Sequence, residues 1–275
     1  MSRQAPVREV APTVQRLRLR YARRGRLRFS SHRDFQRALE RALRRAEVPV
    51  AFSQGFNPRP RVSYANAAAT GVASEAEYVE IAVTVRLDPE LVRAALDAAL
   101  PPGLDVLEVV EARPPDLAER LVASVYEIRL PRVEPAAARQ AVAIFLAADE
   151  VEVERLTKNG VRRFDARSAV IRMEVRDDLT PDSDTPQQDV QGAERAGARV
   201  PCAILDLVVR HATPAVRPDD VLAALRRVAD LDAPVAASVT RWAQGPLVAD
   251  PAVGRPRDAV TDPLASDQDE AAVGA

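Results

Sequence analysis

From Val14 to Ser30 the sequence reads VQRLRLRYARRGRLRFS, and its alternation of apolar and basic residues constrains the fold more tightly than any other stretch. A side-chain period of two belongs to a strand, where successive residues point to opposite faces. Leu17, Leu19 and Tyr21 therefore share one face, and Arg16, Arg18 and Arg20 the other. Leu27 and Phe29 resume the alternation beyond Arg24-Gly25, which predicts a β-hairpin, or one long strand broken by a turn there.

The period then changes. Phe35, Ala38, Leu39, Ala42, Leu43 and Ala46 recur at helical spacing and form one apolar face. Ser31 is placed to cap this helix, Asp34 favours its positive end, and Pro49 stops it. VPVAFS and RVSYANA read as short strands around a QGFNPRP loop, and EYVEIAVTV as a longer strand. DPELVRAALDAAL reads as a helix with Asp88 as cap and Pro89 in its first turn, and LDVLEVVEA as a last strand. This β-α-β-β-α-β order is the split βαβ arrangement.

A second cycle follows a linker at ARPPDLAER. SVYEIRL is a strand and EPAAARQAVAIFLAA a helix; residues 150–176 form a pair of strands about Asn159-Gly160, a strong hairpin signal. VPCAILDLVVR is a buried strand, RPDDVLAALRRVAD a helix and ASVTRWAQG a final strand. The expected architecture is α+β: two tandem ferredoxin-like sandwiches, a basic one over 14–112 and a second over 123–247. Residues 177–199 are too polar to pack and are expected to be a mobile loop, and 248–275 a disordered acidic tail.

Lys plus Arg is 39 against 40 for Asp plus Glu, giving a formal charge of -1 that hides an Arg-rich N-terminal third. Cys202 is the sole cysteine, which excludes a disulfide framework and a cysteine-held cluster or zinc site; no metal or other cofactor is expected. The first residues lack a signal-peptide core, and no apolar run is long enough to span a membrane. A cytoplasmic location is the simplest expectation.

Arg33, Arg37, Arg41, Arg44 and Arg45 fall at spacings of three and four, on a stripe opposite the apolar face of the first helix. Such a stripe can track a phosphate backbone, or it can be a solvated face partly balanced by Glu40 and Glu47. Arg16, Arg18, Arg20, Arg23, Arg24, Arg26 and Arg28 favour the first reading, because hairpin and helix together would make one basic surface. In the following loop Asn57-Pro58 favours a turn and Pro60 stiffens the exit. Phe56 can stack on a base, with Arg59 and Arg61 on phosphates, or it can plug the core. His32, at a helix N-terminus, is a weak candidate for a general base. Glu75 or Glu77 is expected to pair with arginines of the basic surface. Lys158, Arg162, Arg163 and Asp165 form a secondary candidate around the second hairpin, with an ordinary exposed charged hairpin as the alternative.

The stretch SHRDFQRALERALRRAEVPVAFSQGFNPRPRVSYA, followed by GVASEAEYVEI, resembles the radical-SAM-linked protein family, a domain of unknown function. The resemblance rests on Ser31, His32, Asp34, Arg44, Arg45, Gly55, Phe56, Asn57, Pro58, Pro60, Gly71, Ser74, Glu77 and Tyr78. It runs from Leu17 to Val110 and more weakly to TKNGVRRFDAR. NAAATG lacks the proline that family members commonly carry before the glycine, which affects a loop shape only. The resemblance implies an accessory module of the stand-alone actinobacterial type, whose relatives sit beside ribonuclease E/G or are fused to a radical SAM enzyme. The chain itself lacks the three cysteines of such an enzyme. The expected function is therefore non-catalytic binding of structured RNA, such as tRNA or rRNA. The alternatives are a subunit docking a separate radical SAM enzyme or ribonuclease E/G, and an RNA-processing enzyme using His32.

Overall fold

Gln15–Arg23 forms β1, and its period-two pattern places Leu17, Leu19 and Tyr21 in the core as expected. The chain is a computed structural model that describes residues 11–54, 56–158, 160–176 and 201–268. It divides into two units, Met1–Leu121 with Asp262–Ala275, and Val122–Thr261. The loop expected at 177–199 lies outside the described residues, as do Gly55, Asn159 and 269–275.

In the first unit no second strand follows β1. Gly25–Phe29 is a 3-10 turn instead, with Gly25 at φ +53°, and the amides of Leu27 and Ser30 close onto the carbonyls of Arg24 and Leu27. Local turn bonding outcompeted the alternation, so Leu27 packs against the core from a turn. Helix α1, His32–Arg45, begins with a reciprocal capping box: Ser31 Oγ accepts from the Asp34 amide at 3.2 Å, and the Asp34 carboxylate accepts from the Ser31 amide. It buries Phe35, Ala38, Leu39, Ala42 and Leu43.

The expected strand at 48–53 is reduced to single bridges, Val50 to Val83 and Phe52 to Pro60. Pro49, Pro58 and Pro60 lack the N–H that a ladder needs. β2 is Val62–Ala65, β3 Ala73–Val83, α2 Pro89–Ala99 and β4 Val106–Glu111. The sheet order is β4-β1-β3-β2, with every neighbour antiparallel. α1 and α2 cover the face bearing Leu17, Leu19, Tyr21, Val79, Ile81 and Val83.

The expectation of a disordered tail over 248–275 is corrected for residues 248–268. Within the second unit Leu247 bridges Val260, and Ala259 and Val260 pack with Ala123, Val125 and Val208. Within the first unit Leu264 packs with Tyr78, Val110 and residues of the short helix α3, Leu117–Arg120. The one-turn helix α6, Ala265–Gln268, carries Asp267 into a buried position. Its acidity read as solvation only because its arginine partners lie 249 and 147 residues away in sequence.

The second unit runs β5 Ala123–Pro131, α4 Pro135–Ala147, β6 Glu152–Thr157, β7 Gly160–Asp165, β8 Val170–Val175, β9 Cys202–Arg210, α5 Pro218–Ala229 and β10 Ser238–Gly245. Its sheet order is β10-β5-β9-β8, again antiparallel throughout. The pair of strands expected over 150–176 is three strands. β6 and β7 make a separate ribbon closed at Thr157–Gly160, and β8 joins the main sheet. Among the described residues no helix is long and apolar enough to cross a membrane.

Candidate functional site

The arginines of the first unit fall into two groups that the sequence alone does not separate. Those of β1 face carboxylates or carbonyls. Arg18 is only 2% exposed and donates to Glu80 at 3.1 Å, to both oxygens of Asp267 at 3.0 and 3.2 Å, and to the Pro115 carbonyl. Arg120 donates to the same Asp267, whose side chain is 0% exposed, at 2.9 and 3.0 Å. Two guanidiniums thus stand against two carboxylates, which a buried charge cluster requires. Arg16 pairs with Glu80 and Arg20 with Glu108. Arg23 donates to the carbonyls of Ala68, Ala69 and Val72, and so fixes the loop before β3. Arg24 is bound by Glu75 and by Asp105; the Glu75 bond holds its guanidinium above its ordinary pKa.

The expected continuous basic surface of strand and helix is therefore corrected: Arg18 and Arg23 are buried, and Arg16 and Arg20, though reached by solvent, are matched by Glu80 and Glu108. The reason lies in register. Glu80 stands opposite Arg18 across β3, and Glu108 opposite Arg20 across β4. The expected pairing of Glu75 with an arginine is present.

The arginines of α1 differ. Arg33, Arg37, Arg41, Arg44 and Arg45 are all exposed, and among the described residues no carboxylate lies within ion-pair distance of any of them. Beside this stripe, the exposed His32 sits edge-on to Tyr64 of β2, with ring centroids 4.9 Å apart and its Nε2 3.0 Å from Gln36 Nε2. Phe35 stacks on Tyr21 at 4.3 Å and meets the Tyr64 ring edge-on. Burial, with the Glu40 charge behind it, pushes the Tyr64 hydroxyl up to about 12. Bonds from the Ser31 side chain and backbone hold the Asp34 carboxyl below its ordinary value. His32 thus stands on an aromatic base of Tyr64, Phe35 and Tyr21.

The loop after α1 is clamped at its neck. Ser53 N donates to the Arg59 carbonyl at 2.8 Å, Arg59 N to Ser53 Oγ at 3.0 Å, and Arg61 N to the Ala51 carbonyl at 2.8 Å. Beyond this neck Phe56 is 81% exposed, and Asn57 is exposed beside it. That exposure overturns the core-plug alternative for Phe56. Arg59 and Arg61 are exposed, and the Arg61 guanidinium reaches Thr13 Oγ1 at 3.4 Å. Two further exposed aromatics escaped the sequence reading, Phe52 at 41% and Phe29 at 60%. Each followed a strand-like alternation, so each looked inward-facing; the proline bridges and the Gly25 turn were the signals against it.

The motif residues that carry the resemblance therefore split. Ser31 and Asp34 form the helix cap, and the Gly71 amide donates to the Arg28 carbonyl at 2.7 Å with φ +94°. Ser74, Glu77 and Tyr78 are buried in β3, where Glu77 accepts from the Ala68 amide. His32, Phe56 and Asn57 face solvent, and Pro58 and Pro60 brace the loop half-buried. The buried members shape the loops around the exposed ones.

In the second unit Lys158 and Arg162 are exposed on the β6–β7 ribbon, while Arg163 pairs with Glu154 at 2.8 Å. Asp165 accepts from the amides of Val151, Arg167 and Ser168, so it shapes the turn after β7. One polar pair went unread: Ser124 Oγ lies 2.8 Å from His211 Nε2. Ser124 is fully buried, so the pair ties β5 to the chain after β9 and offers no accessible nucleophile. Among the described residues no group of three or more His, Cys, Asp or Glu is placed to hold a metal ion.

A family model described as "uncharacterized protein conserved in bacteria", DUF2344, matches residues 16–218, a span that contains all of β1 but its first residue, α1, the Phe56 loop and every motif residue above. No curated protein matches the chain.

Proposed function

The chain belongs to DUF2344, an uncharacterized family conserved in bacteria, and on that premise we propose that it is a non-catalytic accessory protein that binds structured RNA such as tRNA or rRNA. One observation carries this reading. In a chain of net charge -1 whose β1 arginines are matched internally, the five arginines of α1 are left exposed and, among the described residues, without a carboxylate partner. Helical spacing aligns them, and guanidinium forks bind phosphate oxygens while releasing condensed counterions. Arg59 and Arg61 extend the same chemistry into the loop. Contacts of this kind position RNA without reading its sequence.

The order fourth-first-third-second, repeated in both units once the β6–β7 ribbon is set aside, supports reading each unit as a ferredoxin-like sandwich. Fold analogy alone assigns no function; the exposed arginine face is what supports this reading. The motif residues favour a member of the radical-SAM-linked group of actinobacterial type, working in the cytoplasm beside a separate radical SAM enzyme or ribonuclease E/G. Filter binding of tRNA and rRNA fragments over a salt series tests the proposal. Affinity that falls steeply with salt supports it, and absent or salt-independent binding defeats it.

A second reading, a docking subunit for one of those enzymes, draws on the exposed cross-strand pair Leu156 and Val161 of the β6–β7 ribbon. A partner protein retrieved after nuclease treatment, and no longer retrieved by Leu156→Asp, favours that reading over RNA binding.

A further inference from the structure

Resting on the RNA-binding reading, we propose that the parts of such an RNA that the protein prefers are its unpaired segments, single-stranded or looped, whose bases stack on Phe56, Phe52 and Phe29 while the α1 arginines hold the phosphates. The three rings are 81%, 41% and 60% exposed, which is an unusual outlay of aromatic surface in a chain with only six phenylalanines. Their places in the chain bracket the arginine stripe: Phe29 lies three residues before α1, and Phe52 and Phe56 lie beyond its end. Two of the rings also have cationic company. The Arg28 guanidinium lies over one face of Phe29, 4.8 Å from its centroid, and Arg59 and Arg61 leave the same loop that carries Phe56.

The chemistry discriminates between RNA forms. An A-form duplex offers phosphates to the arginines, but its bases are already stacked on one another and present no free π-face. A single strand or loop offers both, and base–aromatic stacking tolerates every base. The neck bonds Ser53 to Arg59 and Arg61 to Ala51 fix the two ends from which Phe56 is presented before any ligand arrives. Such preorganisation lowers the ordering cost of binding.

Fluorescence anisotropy with the full chain at one fixed salt concentration decides the matter, using an unstructured RNA of about 12 nucleotides, oligouridylate of the same length, and a blunt duplex of the same sequence. Both single strands are expected to bind at least about tenfold more tightly than the duplex. Phe56→Ala is expected to lower single-strand affinity by about 5- to 150-fold and to leave duplex affinity within about twofold. Phe29→Ala gives the same pattern from an independent site, and unchanged thermal melts show that both variants fold. Equal or tighter duplex binding, or single-strand affinity indifferent to both variants, overturns this inference while leaving RNA binding intact. No affinity for any RNA, with a protein partner that Phe56→Ala no longer retains, overturns both.

Discussion

Strand β1 and helix α1 are adjacent in sequence and both rich in arginine, yet the fold treats their charges in opposite ways. A strand inside a sheet has neighbours on both edges, so each outward arginine of β1 meets whatever stands opposite it. Glu80, Glu108 and, from the chain's far end, Asp267 occupy those positions. A helix lying on a sheet has one face that nothing opposes, and the α1 arginines lie there. An arginine count therefore says little about a binding surface until each guanidinium's counter-charge has been located.

The largest effect that would break this comparison is on stability. Arg18→Ala leaves the buried Asp267 with Arg120 alone and the half-buried Glu80 with Arg16 alone, and should cost up to about 3–5 kcal/mol in urea denaturation. Arg16→Ala, at the exposed end of the same strand, should cost less than about 1 kcal/mol. Equal losses would mean that burial does not separate the two sites. Next in size is the helix face. Arg37→Ala, Arg41→Ala and Arg44→Ala combined should weaken RNA binding by on the order of tenfold to a hundredfold. The denaturation midpoint should barely move, because exposed substitutions usually stay within about 0.5 kcal/mol.

Smaller effects sharpen the base on which the helix sits. Ser31→Ala removes the hydroxyl half of the capping box and should cost about 1 kcal/mol, seen as a lower melting temperature. The Tyr64 hydroxyl is held at about 12 against an ordinary 10, so the folded state keeps its proton longer than the unfolded chain. Its contribution is whole below pH 10 and is lost as pH climbs from 10 toward 12. Tyr64→Phe should flatten that part of the stability profile, and an unchanged profile would place its source elsewhere.

Much of the fold was legible because its signals are local. The capping box at Ser31 and Asp34, the 3.6-residue period of α1 and the alternation in β1 are each contained within a few residues. The order of strands and helices followed from them. What stayed hidden depends on distant partners. Asp267 could not be read as a core residue, since Arg18 and Arg120 are far away in sequence. Gly25 stood where a hairpin or a turn was equally consistent, and the choice fell to the Arg24 carbonyl accepting from Leu27. In the candidate site, the α1 stripe and the Phe56 loop were visible as residue types. Exposed Phe29 and Phe52 were not, because an apolar residue in an alternating run looks the same whether it faces a core or solvent.

The central claim is that the α1 arginines, and not those of β1, meet the phosphates of an RNA. The salt dependence of tRNA binding for the wild type and the Arg37, Arg41 and Arg44 alanine triple variant tests this most directly. The account predicts a steep negative slope of log K against log salt. In the triple variant that slope becomes shallower by about 0.7–0.9 for each phosphate that an arginine no longer neutralises, between about two and three in all. An unchanged slope in a correctly folded triple variant would contradict it.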